Sequence, residues 1–363
     1  MATTQPRLRR YRAFIGDAFL DGFRRNSEYA IEGFFPRLKK KMRRGGFRRI
    51  LFTGMGCSAI VSDIIKGFFA DQGVDIHVEV LNGYHVEQLI DVGTLKDGKT
   101  LVIVSSYSGF SKEPVLAYER MREHTKDIIF LTSGGRLYEL ARSDKVPVIK
   151  WAIIDPDREY PLFHVPQYFA ILLDVFCRFG ILRENYAKRL EKLADDLHEL
   201  KLSRDARDIA RMVRGKDIIM LATPLWHTSL LKLIKMHLNE IAMVPAHRNY
   251  FHEFCHSEVG VCSMPTIRQA IFMFKDMDDD AYTKAKMDNA RKAIMEGGDN
   301  MAITIPLDQP DFLHKLFATL MLFQHITYKL GIMENTPSRE LISRAAGNMW
   351  YNRETIKAEM EKG

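Results

Sequence analysis

The chain has 363 residues, 46% of them hydrophobic and 27% charged, with a formal net charge of +7. This is the balance of an ordinary globular protein, with room for two α/β domains, and no uninterrupted apolar run approaches the roughly 18 residues of a membrane span. The opening MATTQPRLRRYRAF lacks the apolar stretch of a secretory signal. The four cysteines, Cys57, Cys177, Cys255 and Cys262, show no C-x-x-C spacing, which argues against a disulfide framework or a cysteine zinc site. A cytoplasmic protein with reduced thiols is the expectation.

In chain order, residues 1–46 read as a basic helical extension. Residues 1–49 hold 14 Lys/Arg against 4 Asp/Glu, leaving 39 against 42 for the remainder. No base-stacking aromatic cluster accompanies RLKKKMRRGGFRR, so a solvated helical lead-in is favoured over a nucleic-acid or anionic surface contact. The strand candidates RILFTG, HVEVL, TLVIVSS, IIFLTSG and PVIKWAII then alternate with helical stretches, which predicts a parallel sheet covered by helices on both faces, a three-layer αβα arrangement of the flavodoxin-like kind. Pro166 starts and Gly180 ends the helix PQYFAILLDVFCRFG, and the charged helices after it carry the boundary between a first domain, 47–190, and a second, 205–345. The second series runs DIIMLATP, HTSLLKLIKMHLNEIA, QAIFMFKD, a helix ending at Gly297 and Gly298, MAITIP and FLHKLFATLMLFQHITYKLG. Its order echoes the first, so a second domain of the same architecture is expected, followed by a helical tail over 346–363.

Two strands of the first domain run straight into small-residue loops that open helices, Gly54-Met55-Gly56-Cys57-Ser58 and Ser105 to Ser111. Hydroxyls and unpaired amides then converge at the positive ends of two helices, which is the chemistry of an anion site, most simply a phosphate. The corresponding loop of the second domain, ATPLWHTS, is poorer in Gly and Ser, so one such site is expected.

The segments TGMGCSAIVSD, SSYSGFSKEP and LTSGGRLYEL resemble the signature segments of sugar isomerase (SIS) domains. HLNEIAMVPAHRNYFHEFCHSE is similar to the archaeal-type bifunctional phosphoglucose/phosphomannose isomerases, and the resemblance spans Phe47 to about Ser343. It implies a metal-free, cofactor-free aldose–ketose isomerisation of hexose 6-phosphates through an enediol, in a homodimer; the apolar runs and the basic segment read above add no membrane and disfavour nucleic acid as partners. It implies that Glu240 of Leu238-Asn239-Glu240 is the base and that His256, sixteen residues on, opens the sugar ring from the neighbouring subunit. A base between C1 and C2 and an acid/base group for ring opening are what that chemistry needs. It further implies substrate contacts from Gly56, Cys57, Ser58, Ser106, Ser108 and Ser111. The family's linker arginine has no counterpart after Pro161, where Leu162 stands, and Arg158 lies three residues before that proline. The family's C-terminal lysine after a T-P pair is also missing, leaving Thr336 and Arg344 as the nearest candidates.

Two other motifs compete. His252-Glu253-Phe254-Cys255-His256 matches H-E-x-x-H, a zinc peptidase pattern, but lacks a third histidine and a glycine-rich extension. Gly54-x-Gly56-x-x-Ala59, with Glu79 on the next strand, fits a relaxed dinucleotide fingerprint, though the hydroxyl-rich second loop suits a terminal phosphate better than a pyrophosphate. A non-catalytic phosphosugar-binding or regulatory protein on the same fold is the main alternative to an isomerase.

Overall fold

The computed structural model describes residues 6–33, 35–153, 161–264, 268–296 and 299–336. The first sheet contains β1 (Tyr29–Glu32), β2 (Arg49–Thr53), β3 (His77–Leu81), β4 (Thr100–Ser105), β5 (Ile128–Thr132) and β6 (Val148–Trp151), in the order β1-β6-β5-β4-β2-β3. Strands β2 to β6 pair in parallel, and β1 joins antiparallel to β6 through Tyr29 opposite Trp151. The second sheet, β7 (Asp217–Ala222), β8 (Ala246–Tyr250), β9 (Gln269–Asp276) and β10 (Met301–Leu307), is wholly parallel in the order β10-β9-β7-β8.

Helices fill the connections: α1 (Pro6–Phe14), α2 (Pro36–Arg43), α3 (Cys57–Asp71), α4 (Lys112–Met121), α5 (Gly135–Asp144), α6 (Val165–Phe179), α7 (Ala187–His198) and α8 (Ser203–Val213). Then come α9 (residues 224–242), α10 (Phe251–Ser257), α11 (Ala281–Glu296) and α12 (Phe312–Met333). Helix α6 has Pro166 in its first turn and ends on Gly180 at φ 77°, as its sequence requires.

The two-residue period of the strands sorts their side chains into layers. Ile50, Phe52, Leu101, Ile103, Ile129 and Leu131 point into a core shared with Ile218, Met220, Ala270, Phe272 and Phe274 of the second sheet. Leu51, Val102, Val104, Phe130 and Val148 face the opposite way under α4 and α5, while Leu221, Ile271 and Met273 meet α10 and α11. The inner layers of the two sheets are therefore continuous, joined through α3, α6 and α12. Length and composition would let α12, and α6 together with the turn before it, cross a membrane, yet most of each is buried in this core.

The segment before Phe47 is not a solvated lead-in. It supplies β1 to the sheet and buries Tyr11, Phe14, Phe19 and Phe23 in the shared core, where Phe23 meets Phe317 edge-on at 4.7 Å. Some basic residues in it and just after it are paired as well. Lys41 and Arg37 both pair with Asp127, which is only 5% exposed, and Arg49 pairs with Asp97. Strand β8, AHRNY, was also not foreseen. It is a polar edge strand bonded on one side only, so no apolar alternation marks it.

A charge pair crosses between the halves. Lys232 Nζ on α9 lies 2.6 Å from Asp63 Oδ2 on α3 and 2.9 Å from Asn82 Oδ1 beyond β3. Both side chains of the ion pair are largely covered, and burial pushes the Asp63 carboxyl up despite the cations beside it. Removing one partner of such a pair leaves an uncompensated charge at about 3–5 kcal/mol. Lys232→Met is therefore expected to lower the unfolding free energy by roughly that amount in urea titration, and adding Asp63→Asn to restore most of it. Equal losses in the single and double variants would count against the pairing.

Candidate active site at the switch point of the first sheet

Counting from β2, the first sheet has strand order 2-1-3-4-5, and the chain reverses direction across the sheet between β2 and β4. Loops leaving the C-terminal ends of those two strands flank a crevice, the usual ligand position in open α/β sheets. Both small-residue loops lie there. Gly56 is the N-cap of α3 at φ 55° and Ser111 the N-cap of α4, and neither helix start has a side-chain cap. The first amides of each helix thus lack an intrahelical acceptor and point at the crevice with the positive end of the dipole.

Glycine is required where the loops meet. A Cβ on Gly109 (φ 68°) would sit 1.9 Å from Gly134 O, and one on Gly135 (φ 65°) 2.3 Å from Ser108 O. Main chain therefore packs on main chain, with Leu137 N donating to Gly109 O at 3.1 Å and Ser133 N to Tyr107 O at 2.8 Å. This holds the 106–111 loop in one shape. Ser108 is exposed, its Oγ accepting from Phe110 N at 3.3 Å, Ser111 is partly exposed, and Ser58 and Ser106 are 8% and 3% exposed. Below them the Ser105 hydroxyl bonds the hydroxyl of Tyr168 from α6. Tyr168 was not among the expected residues; nothing in the sequence distinguishes its phenol from the other side chains of a largely apolar helix.

The second half of the chain reaches this crevice through α9. That helix contains two wider π-type turns, His227–Leu231 and His237–Ala242, and Glu240 lies in the second. Single π-type turns inside α-helices recur at functional sites. Burial pushes the Cys57 thiol up from its ordinary value, and the Glu240 carboxylate pushes it further. Glu240 and the start of α3 are thus electrostatic neighbours, and Cys57 in turn acts on Tyr168. Of the expected residues, Ser58 lies beside the end of β4 that opens the serine loop, since a Cβ on Gly54 would meet both Ser105 O at 2.9 Å and Ser58 Cβ at 3.4 Å, and Glu240 bears on Cys57 one residue away.

Other expectations fare differently. His256 is exposed on α10 and makes no hydrogen bond, ion pair or ring contact among the described residues. Its H-E-x-x-H partner His252 packs instead against Phe251 and Tyr282. The resemblance places Thr336 among ligand contacts, but its side chain is turned inward, 2% exposed, with Oγ1 donating to Ala242 O at 2.6 Å. Arg158 and Arg344 lie outside the described residues. Leu162 is 1% exposed and packs in the core, so it offers the site nothing polar.

The second sheet has the same reversal, between β7 and β9, but the position is filled. Trp226 Nε1 donates to Asp276 Oδ2 at 2.7 Å, its ring stacks on Phe312 at 5.0 Å, and Lys315 Nζ lies 2.6 Å from Asp276 Oδ1. Beside the crevice of the first sheet, Arg248 bonds the ring and the backbone carbonyl of His227, and burial together with that guanidinium lowers the His227 pKa to about 4.

Because burial and Glu240 both disfavour the thiolate, Cys57 is expected to stay protonated through neutral pH and to label slowly with iodoacetamide. Glu240→Gln removes one raising influence, so the pH midpoint for labelling Cys57 moves down. An unchanged midpoint would separate the two side chains.

Comparison with known proteins agrees with this fold. Residues 202–339 match the sequence model of the bacterial phospho-glucose isomerase C-terminal SIS domain. A bifunctional phosphoglucose/phosphomannose isomerase of Caldicellulosiruptor bescii is 26% identical over 304 residues, covering 80% of this chain and 86% of that one. A D-glucosamine-6-phosphate 4-epimerase of Sulfolobus acidocaldarius is 28% identical over 218 residues, 59% of this chain and 64% of its own. The solved tagatose-6-phosphate ketose/aldose isomerase of Escherichia coli superposes with a TM-score of 0.61 at 16% identity, over 91% of this chain and 94% of that one, which speaks to the fold. Residues 202–339 thus match an SIS domain, and over most of its length the chain is similar to bifunctional phosphoglucose/phosphomannose isomerases.

Proposed function

We propose that this protein is a sugar-phosphate isomerase that interconverts hexose 6-phosphates between aldose and ketose forms. One observation carries the reading: two helix starts without side-chain caps, Gly56 before α3 and Ser111 before α4, flank the crevice between β2 and β4, and Glu240 from the second half of the chain is near enough to raise the Cys57 thiol there. The phosphate is held by the amides opening α3 and α4 and by Ser106, Ser108 and Ser111, within residues 47–190. Glu240 takes the C2 proton of the open-chain aldose and returns it to C1 of the enediol, a transfer that uses no metal or cofactor. Relatives named phosphoglucose/phosphomannose isomerase support the reaction class.

His256 opens the ring in this scheme, and it does so from a second copy of the chain. Its exposure on α10, without a partner among the described residues, supports delivery to a neighbouring subunit. A cytoplasmic homodimer follows as the working form, with residues 205–345 as the domain carrying both acid/base groups. A binding protein without turnover is the second reading, favoured by Leu162, which is apolar and buried where the family has an enediol-stabilising arginine.

Glu240→Gln is expected to reduce fructose 6-phosphate turnover by about 10²- to 10⁴-fold while leaving phosphate binding intact. A wild-type protein that binds hexose phosphates but exchanges no C1 or C2 hydrogen with D₂O would establish the second reading instead.

Ser106→Ala combined with Ser108→Ala is expected to weaken hexose 6-phosphate binding in calorimetry by about 1.5–3 kcal/mol per lost bond to the charged group. Unchanged affinity would move the phosphate elsewhere.

Subunit mixing tests the dimeric site. Co-refolded Glu240→Gln and His256→Ala chains each lack one group, yet a hybrid pair contains one site with both. Recovery of about a quarter of wild-type activity is expected from random pairing of two subunits. No recovery would put Glu240 and His256 in the same subunit's site.

A further inference from the structure

The turn that carries Glu240 is held from behind by helix α1, which lies before the first sheet and outside the matched SIS domain. Tyr11 of α1 is fully buried, and its Oη lies 2.8 Å from Nδ1 of His237, also fully buried. His237 opens the π-type turn His237–Ala242, one turn before Glu240. Burial lowers the His237 pKa to about 3, so the ring is neutral and its bond to Tyr11 persists across physiological pH.

The rest of the turn is clamped at its far end. Thr336 Oγ1 donates to Ala242 O at 2.6 Å, Ala246 N donates to Asn239 Oδ1 at 2.9 Å, and Met243 leaves the helix at φ 55°. A Cβ on Gly331 of α12 would come within 2.8 Å of Leu8 Cδ2 and 3.6 Å of Ala242 Cα, so α1, α12 and the turn meet there. Helix α1 is itself anchored by Phe14 stacked on Phe163 at 5.0 Å. Of these restraints, only the Tyr11 to His237 bond acts on the turn's first residue from a side chain of another element. A π-type turn carries one residue more than an α-turn, and relaxing to the α register would rotate Glu240 by roughly a residue's 100° about the helix axis.

We propose that Tyr11 is a positioning residue for Glu240, its hydroxyl on His237 fixing the π-type turn and with it the direction of the carboxylate. The proposal rests on Glu240 as the base. Acting through geometry, Tyr11 affects the step in which the proton moves and leaves phosphate capture alone.

The test compares Tyr11→Phe, which removes only the hydroxyl, with wild type in the full-length protein. Expected are a kcat for fructose 6-phosphate lower by about 10- to 100-fold, an unchanged KM, and faster deuterium exchange of the amides of residues 237–243 by mass spectrometry. Placed on Glu240→Gln, the same substitution produces no further loss of residual turnover. His237→Asn, which keeps an acceptor near the Nδ1 position, is expected to retain most of the rate, and His237→Leu to behave like Tyr11→Phe. Unchanged exchange over 237–243 overturns the proposal whatever the activity, as does faster exchange with kcat intact, or an equal loss on the Glu240→Gln background. If Glu240→Gln itself turns over like wild type, the assignment of the base falls, and amide exchange still decides whether Tyr11 holds the turn.

Discussion

Phe68 on α3 meets Phe312 on α12 at 6.3 Å, and Phe169 on α6 meets Phe317 at 5.9 Å, across the seam between the two sheets. These rings fix the distance and rotation of one half of the chain against the other. In the proposed site each sheet alone supplies half: the first a place for an anion, the second a carboxylate. The packed seam brings Glu240 close enough to Cys57, at the start of α3, for its charge to raise the thiol. Aromatic contacts serve this purpose well because they combine large buried area with preferred edge and offset geometries, so a shift along the seam forfeits both. The Asp63 to Lys232 pair adds a directional lock in the same seam. Its net stabilisation is small, since desolvating both ions costs nearly what their attraction returns, but a misregistered seam would leave two buried charges apart.

The two halves share an architecture and have diverged in what they do with its crevice. In the first sheet the reversal between β2 and β4 is lined by glycine, serine and open helix starts. In the second, Trp226 and the Asp276 to Lys315 pair occupy the same place. Filling that position turns a ligand crevice into core, and it stiffens the base of α9, whose first turn holds Trp226. The second sheet then works as a mount for α9 and α10.

Much of this was legible in the sequence where period and punctuation act locally. The parallel strands of the first sheet, the caps of α6 and the two loops at β2 and β4 follow from β-branched runs, Pro166, Gly180 and clustered Gly and Ser. Strand β1 was hidden because YAIE is too short for its alternation to register, and its partner β6 lies more than a hundred residues away. Strand β8 was hidden because an edge strand with His247, Arg248 and Asn249 carries no apolar stripe. Thr336 was singled out by alignment to a family pattern, which gave no sign that its hydroxyl bonds Ala242 O. Tyr11 and Tyr168 could not be found from spacing at all, because a buried phenol becomes informative only when its partner across the fold is known.

The neutral state of Cys57 bears on how the proposed chemistry tolerates its own charges. A phosphate and an enediol anion both need cations or oriented dipoles, and in the proposed scheme the two helix starts would supply dipoles for the first. A thiolate beside Glu240 would add a further negative charge at the point where the enediol forms. Burial and the carboxylate itself prevent that by keeping the proton on sulfur. The thiol then lines the crevice as a small polarisable wall with a weak donor. Under the proposed chemistry, an uncharged Cys57 adds no repulsion against the developing anion, and the buried, apolar Leu162 adds no charge of either sign.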